Sequence, residues 1–251
     1  MPLQFESPRT SSRSSSYHSS TSPGPKARTR RRADISMAVA AAATVALSFV
    51  PWAGTITWPL RLMVTYLHEG FHALAALATG GSVLGIEVVP GGSGLTRTMG
   101  GVGMLVSSAG YLGAMLHGTL LLTALRRGVP GRTLLIATAA GVALVALAGI
   151  ASPFTLAAGA AIAVALALLG AKLPRRGADW LAGFVGVQCL LNAFFDLRTL
   201  FYLSVSSTTQ TDAMNMQAAT FVPAVVWAVL WIATGVAVVW RMLLRPILDG
   251  R

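Results

Sequence analysis

The sequence predicts an all-α polytopic membrane protein with about six to seven transmembrane helices and a short membrane-associated β-like hairpin. Of its 251 residues, 54% are hydrophobic and only 11% are charged, whereas a soluble domain carries about 25% charged residues. Residues 133–171 contain no charged side chain. Because a bilayer core about 30 Å thick is crossed by roughly 20 apolar helical residues, this block alone is long enough to cross twice.

The net charge of +11 does not indicate a nucleic-acid partner. The basic residues lie in short clusters between apolar blocks or in the N-terminal region, and this distribution is how membrane proteins fix their orientation. The single cysteine, Cys189, excludes an intrachain disulfide.

Residues 1–33 form a tail that is rich in Ser, Pro and Arg and nearly free of aliphatic side chains. Such a segment cannot bury enough apolar area to offset the entropy that it loses on ordering, so we predict that it is disordered. The integral membrane domain is predicted to occupy residues 34–251.

Seven hydrophobic segments follow the tail, and glycine or proline residues mark most of the breaks between them. They lie near residues 36–54, 59–79, 101–125, 133–150, 154–171, 180–203 and 219–240.

The stretch 81–100 has a different character, with a β-like run from Val83 to Val89, a glycine-rich turn and then a polar stretch. Free strand edges cannot face lipid, so this stretch must pack on protein, line a wet cavity or lie at the surface. We expect it to form a wall of a substrate cleft, in which the run 83–89 pairs with an extended peptide by β-augmentation.

Four basic clusters resemble cytoplasmic regions, and they lie in the tail, near 126–132, near 172–176 and at the C-terminus. Seven simple crossings would place the tail opposite the other three. Either the first segment is not a simple crossing, or the stretch 81–100 is not a simple non-crossing element, or one basic cluster departs from the charge bias. The sequence leaves the orientation open.

The second segment contains His68-Glu69-Gly70-Phe71-His72, which fits the pattern His-Glu-x-x-His. Residues i and i+4 share one face of a helix, so both imidazoles can bind a single Zn²⁺. Glu69 is placed to take the proton of a water molecule at the metal as that water attacks. An acidic side chain at mid-helix in lipid costs about 2.5–3.5 kcal/mol on insertion scales, so three polar residues within five positions indicate a metal site rather than chance.

Catalytic zinc takes a third protein ligand and keeps one position for water. Asp196 is the preferred candidate, because it lies deep in the sixth apolar segment. Asn192 lies four residues earlier on the same helical face, and we expect it to orient that carboxylate or to donate a hydrogen bond to an oxyanion. A helix–helix hydrogen bond or a salt bridge with Arg198 is the structural alternative for Asp196.

Four other residues are weaker candidates for the site. His117 and Glu87 are the runners-up for the third ligand, although His117 is expected to pack between helices. Cys189 is expected to be a small buried apolar residue. Asp212 lies in a polar stretch between the last two segments, where it could gate the site or cap the final helix, and a solvated loop is slightly preferred.

These residues resemble the site-2 protease-like intramembrane metallopeptidases, and most closely the compact bacterial branch without a PDZ domain. The resemblance covers about residues 60–235 and rests on HEGFHALAALATGG, GIEVVPGGSGLTRT, AGYLGAMLHG, NAFFDL, and TDAMNM followed by Pro223 and Trp227. It implies that His68, His72 and Asp196 bind zinc and that Glu69 is the base. Many members carry Leu-Asp-Gly where this chain reads Phe-Asp-Leu.

The expected function is therefore zinc-dependent hydrolysis of peptide bonds in membrane-protein substrates, within or near the bilayer of a bacterial plasma membrane. The expected partners are a membrane-protein or peptide substrate and the lipid bilayer, with no nucleic acid. The alternative is a zinc-binding membrane protein without protease activity, such as a transporter or sensor. Transport would require further intramembrane ligands along a path, and the sequence offers few.

Overall fold

The computed structural model describes residue 39 and residues 41–46, 53–149, 152–206 and 211–248, and of residues 53, 56, 192–206 and 247 it describes the backbone alone. The predicted tail, residues 1–33, lies outside the described residues. The labelled elements are α1 (Ala53–Ala78), β1 (Ser82–Val88), β2 (Gly94–Met99), α2 (Gly103–Arg126), α3 (Gly131–Ala148), α4 (Pro153–Lys172), α5 (Arg175–Ser206), α6 (Asp212–Thr220), α7 (Ala224–Val239), a π-helical turn (Trp240–Leu244) and α8 (Arg245–Leu248).

Four of the described helices are long and apolar enough to cross a membrane, which confirms a mostly helical multi-pass chain. These candidate spans are Gly103–Arg126, Gly131–Ala148, Pro153–Lys172 and Ala224–Leu244. Their outward faces are apolar, with Leu144 68% exposed and Val236 51% exposed, as expected for helices whose outer solvent is lipid. The predicted segments 59–79 and 180–203 are helical in α1 and α5, and a total of six to seven crossings stays a prediction.

Small residues allow the helices around the core to approach closely. A Cβ on Gly118 of α2 would lie only 2.6 Å from the carbonyl oxygen of Gly186 in α5. Small residues at such crossings are typical of helix packing in membranes, where van der Waals contact replaces the hydrophobic effect. A polar contact connects α2 to α3, because His117 Nε2 lies 3.1 Å from Thr138 Oγ1.

The predicted β-like hairpin is confirmed. β1 and β2 pair antiparallel, with Ile86 opposite Thr96 and an irregularity between Val83 and Gly85. Thr155 at the start of α4 holds β1, because its Oγ1 accepts a hydrogen bond from Val88 N at 2.9 Å and donates one to Val88 O at 3.2 Å. Tyr66 of α1 donates a hydrogen bond from its hydroxyl to Thr155 O at 2.6 Å, so α1, the hairpin and α4 meet at one point.

The hairpin tip, residues 89–93, is fastened to α1. Trp58 Nε1 donates a hydrogen bond to Pro90 O at 2.7 Å, and Thr65 Oγ1 donates one to Gly92 O at 2.7 Å. Gly92 has a φ of 91°, a conformation that glycine adopts without steric cost. The hairpin therefore lies along α1 rather than extending freely.

Three of the four basic clusters gather at one end of the described helices, far from the hairpin. Arg126 Nη2 donates a hydrogen bond to Met242 O at 2.6 Å, and Asp179 Oδ1 accepts one from Gly131 N at 2.7 Å. The first contact joins the end of α2 to the π-helical turn, and the second joins the beginning of α3 to the beginning of α5. We call this end the basic end; its basic side chains are Arg126, Arg127, Arg132, Lys172, Arg175, Arg176, Arg241 and Arg245.

Candidate metal centre

α1 places the two histidines of the motif side by side, as the helical spacing predicts. The Nε2 atoms of His68 and His72 lie 2.9 Å apart, and the two rings meet edge to face with centroids 4.6 Å apart. His72 is buried and His68 is half-buried. Both imidazoles therefore direct the same nitrogen toward one point inside the protein.

Asp212 completes a group of three metal-ligand atoms. Its Oδ2 lies 3.2 Å from His68 Nε2 and 3.3 Å from His72 Nε2, and the ligand atoms of the three residues all lie within 4.8 Å of one another. No other group of three His, Cys, Asp or Glu side chains with this geometry occurs in the part of the chain that the structure describes. Two imidazoles and one carboxylate form a ligand set that zinc commonly takes in hydrolytic enzymes.

The start of α6 fixes the position of Asp212. Thr211 is the N-cap residue, and its hydroxyl accepts a hydrogen bond from Met214 N at 3.3 Å. A carboxylate in the first turn of a helix is stabilised by the helix dipole. Burial raises the pKa of the Asp212 carboxyl, but hydrogen bonds from His68 and His72 outweigh burial and hold that pKa well below its usual range.

A backbone carbonyl orients the second imidazole. His72 Nδ1 lies 2.6 Å from Val106 O in α2. When Nδ1 donates a hydrogen bond to this carbonyl, a neutral imidazole keeps its lone pair on Nε2, where it can bind a metal ion, whereas a proton on Nε2 in place of the metal donates to Asp212. Metal-binding histidines in proteins are commonly held in this way.

Glycine at position 110 leaves the space that a metal ion requires. A Cβ added to Gly110 in α2 would overlap the Nε2 atoms of both His68 and His72. The helix therefore comes close to the imidazoles without filling the volume in front of them. The ligand atoms and the space between them fit a metal ion.

Glu69 lies next to this group and is held by the hairpin. The Thr96 hydroxyl lies 2.6 Å from Glu69 Oε2 and 3.1 Å from the Glu69 carbonyl oxygen. Glu69 is only 4% exposed, and a Cβ on Gly94 would lie 2.5 Å from its Oε1. β2 thus covers the carboxylate on one side and supplies it with a hydrogen-bond donor.

The metal-ligand group opens into a cleft of about 960 Å³. α1 forms one wall, β2 and the hairpin tip form the second, and the starts of α2 and α6 form the third. Tyr111 packs edge to face on His68 with ring centroids 4.7 Å apart, and Trp231 of α7 supports Tyr111 at 5.4 Å. The predicted cleft wall at 81–100 is therefore present, and β2 is the strand that lines the cleft.

The structure places three of the four weaker candidates away from the metal-ligand group. His117 is bonded to Thr138 and packs between helices, as expected. Glu87 is exposed and pairs with Arg97 at 3.3 Å. Cys189 is fully buried in the apolar core, also as expected.

The sequence slightly favours a solvated loop for Asp212, whereas the structure places this residue against both histidines. The signal available in the sequence was the scarcity of acidic residues, since the chain has only eight. The side chains of Asp196 and Asn192 lie outside the described residues, although the backbone at both positions is helical in α5. Their predicted roles stay predictions.

Comparison with known families gives a match over most of the chain. The model of the Peptidase M50B-like family matches residues 38–242 of this chain, which include all three walls of the cleft and the metal-ligand group of His68, His72 and Asp212. No curated protein and no solved structure gives a significant match to the chain.

Proposed function

The chain belongs to the Peptidase M50B-like family of membrane metallopeptidases, and we propose that it is an intramembrane zinc metalloprotease that hydrolyses peptide bonds of membrane-protein substrates within or near the bilayer. The observation that carries the proposal is the convergence of His68, His72 and Asp212 within 4.8 Å, beside a buried Glu69 and at the base of a cleft.

His68, His72 and Asp212 would hold the metal through two imidazole nitrogens and one carboxylate oxygen. Bound zinc supplies a Lewis acid that polarises the scissile carbonyl and increases the acidity of water. Asp212 is the proposed third ligand because of its position. Asp196 stays the alternative from the sequence, and metal analysis of the two variants distinguishes them.

Glu69 is the proposed general base. The hydrogen bond from Thr96 and the close approach of Gly94 hold its carboxylate at the cleft. From this position it takes a proton from the attacking water and delivers a proton to the leaving amine. Glu69 is only 4% exposed, and the electrostatic effect of a fixed carboxylate is stronger where little water screens it.

The hairpin is the proposed binding site for the extended part of the substrate. Thr155 covers the outer edge of β1 at Val88 by bonding to its backbone N–H and carbonyl groups. A substrate strand therefore cannot pair with β1 at that position in the way that the sequence predicts for the run 83–89. β2 lines the cleft, and no strand in the described chain pairs with its outer edge. We therefore assign β-augmentation to β2.

The variant Glu69→Gln tests the proposal, because glutamine keeps the shape of glutamate and cannot act as a base. In purified protein reconstituted into liposomes, cleavage of a membrane-peptide library should fall by about 10²- to 10⁴-fold, while the zinc content measured by mass spectrometry should stay near the wild-type value. Glu87→Gln is the matched control, since Glu87 is exposed and pairs with Arg97, and it should retain both properties.

A transporter would give a different result in the same liposomes. Zinc flux would change in Glu69→Gln, and no peptide would be cleaved by the wild type. That pair of observations would overturn the proposed protease activity.

A further inference from the structure

Arg61 is a cleft residue whose charge has no partner among the described side chains. It lines the cleft on α1, at the hairpin tip, where a Cβ on Gly92 would lie 3.5 Å from its Nη2. Its side chain is exposed. No described carboxylate forms an ion pair with its guanidinium.

The other charges of the cleft lining are already in use. The acidic residues in the lining are Glu69 and Asp212, which belong to the proposed catalytic group. The remaining basic residue of the lining, Arg97, pairs with Glu87 at 3.3 Å. Arg61 therefore leaves an uncompensated positive charge at the end of the cleft that lies toward the hairpin tip.

The spacing along α1 sets the distance between this charge and the chemistry. Arg61, Thr65 and Glu69 follow one another at intervals of four residues and all line the cleft. At about 1.5 Å of rise per residue, the eight residues from Arg61 to Glu69 span about 12 Å. An extended peptide covers about 3.3 Å per residue, so about four substrate residues fit between the two positions.

We infer that Arg61 is a specificity-determining residue that binds an acidic side chain of the substrate about four residues from the cleaved bond. This inference rests on the proposed function, because it requires an extended peptide in the cleft. The guanidinium offers five donors in a planar fork that matches a carboxylate. A lipid phosphate at Arg61 is the competing ligand, and the test below distinguishes it from the peptide.

The test compares peptides that differ only in charge. A library with randomised residues on both sides of the cleaved bond is digested by wild type, Arg61→Gln and Arg61→Glu, and the products are identified by mass spectrometry. The control variant is Arg127→Gln, which removes one positive charge at the basic end. In parallel, Glu69→Gln protein, which should not cleave, is titrated with a fluorescent acidic peptide and with its amide counterpart.

The wild type should prefer Asp or Glu about four residues from the cleaved bond, Arg61→Gln should lose this preference, and Arg61→Glu should favour Lys or Arg. The acidic peptide should bind about twofold to fivefold more tightly than its amide counterpart, as for an exposed ion pair, and added salt should reduce the difference. Arg127→Gln should keep the wild-type profile.

Two outcomes would overturn the inference. One is a wild-type profile without acidic preference at this distance. The other is an equal loss of cleavage for all peptides in Arg61→Gln, which would indicate a lipid or structural role. If the wild type cleaved no peptide, or no more than Glu69→Gln does, the proposed function would be overturned as well. The failure of the inference and the failure of the proposed function are therefore distinguishable.

Discussion

Thr96 and Glu69 are joined by a short hydrogen bond that connects the hairpin to the motif helix, with 2.6 Å between Thr96 Oγ1 and Glu69 Oε2. The same hydroxyl also lies 3.1 Å from the Glu69 carbonyl oxygen. The strand that lines the cleft therefore also holds the carboxylate proposed to move the proton.

Thr96→Val should reduce catalysis without removing the metal. Valine keeps the shape of threonine but leaves the buried carboxylate without this donor, and a hydrogen bond to a charged group contributes about 1.5–3 kcal/mol. We expect kcat to fall by roughly tenfold or more, with unchanged zinc content. Thr98→Val is the matched control, since Thr98 lies two residues along the same strand and lines the same cleft. Equal losses in the two variants would contradict the role of Thr96.

Asp212→Ala should remove zinc from the purified protein. Loss of one of three protein ligands leaves the two imidazoles, and we expect the bound zinc to fall from near one equivalent to a small fraction of it. Asp196→Ala is the companion variant, measured by the same metal analysis. Zinc loss in Asp196→Ala together with full retention in Asp212→Ala would make Asp196 the ligand and refute our assignment.

Gly110→Ala should impair metal binding although it adds only a methyl group. The new Cβ would overlap both Nε2 atoms, so either α2 or the imidazoles must move. Zinc affinity should fall by at least about 10- to 100-fold, the range seen when groups that orient metal ligands are changed. Competition with a fluorescent chelator measures this affinity.

Gly141→Ala provides the control for Gly110→Ala. It lies in α3, and a Cβ there would meet no atom within 4 Å. It should leave zinc affinity unchanged and stabilise the helix by about 0.5–1 kcal/mol. Equal zinc affinities in the two variants would show that the close approach of α2 is unimportant.

The basic end should face the cytoplasm and the cleft should open on the opposite side. Positive residues in short loops favour the cytoplasmic side, and α4 runs from Thr155, beside the hairpin, to Lys172 at the basic end. A membrane-impermeant maleimide should label Ser93→Cys in intact cells and Val129→Cys only after permeabilisation. The wild type supplies the background, because its single cysteine, Cys189, is fully buried. The reverse labelling pattern would refute this orientation.

The motif on α1 was predictable because its information is local. His68 and His72 are one helical turn apart, so their proximity follows from the helix alone. Asp212 lies 140 residues beyond His72, and its approach depends on how α6 packs on α2. The contact between Ser108 Oγ and Met216 Sδ, at 3.6 Å, has no signature in the sequence.

The fold shows the same division between local and distant information. The charge-free block 133–171 predicted two helices and Pro153 marked the break, as α3 and α4 confirm. The hairpin followed from the β-like run and the glycine-rich turn. Its attachment to Thr155, which lies 67 residues from Val88, could not be predicted. Any buried hydroxyl could have formed the hydrogen bonds with the backbone N–H and carbonyl groups of Val88.

The attachment of Val88 to Thr155 has a consequence for self-association. A two-stranded sheet normally presents two open edges, and stacking of such sheets into fibres requires that each copy accepts a neighbour on both sides. Thr155 occupies the backbone groups of Val88, and α3 reaches the same edge, where a Cβ on Gly149 would lie 2.7 Å from Ile86 O. With one edge closed, the hairpin can receive a single strand but cannot propagate a ladder, so its exposed strand carries little risk of aggregation.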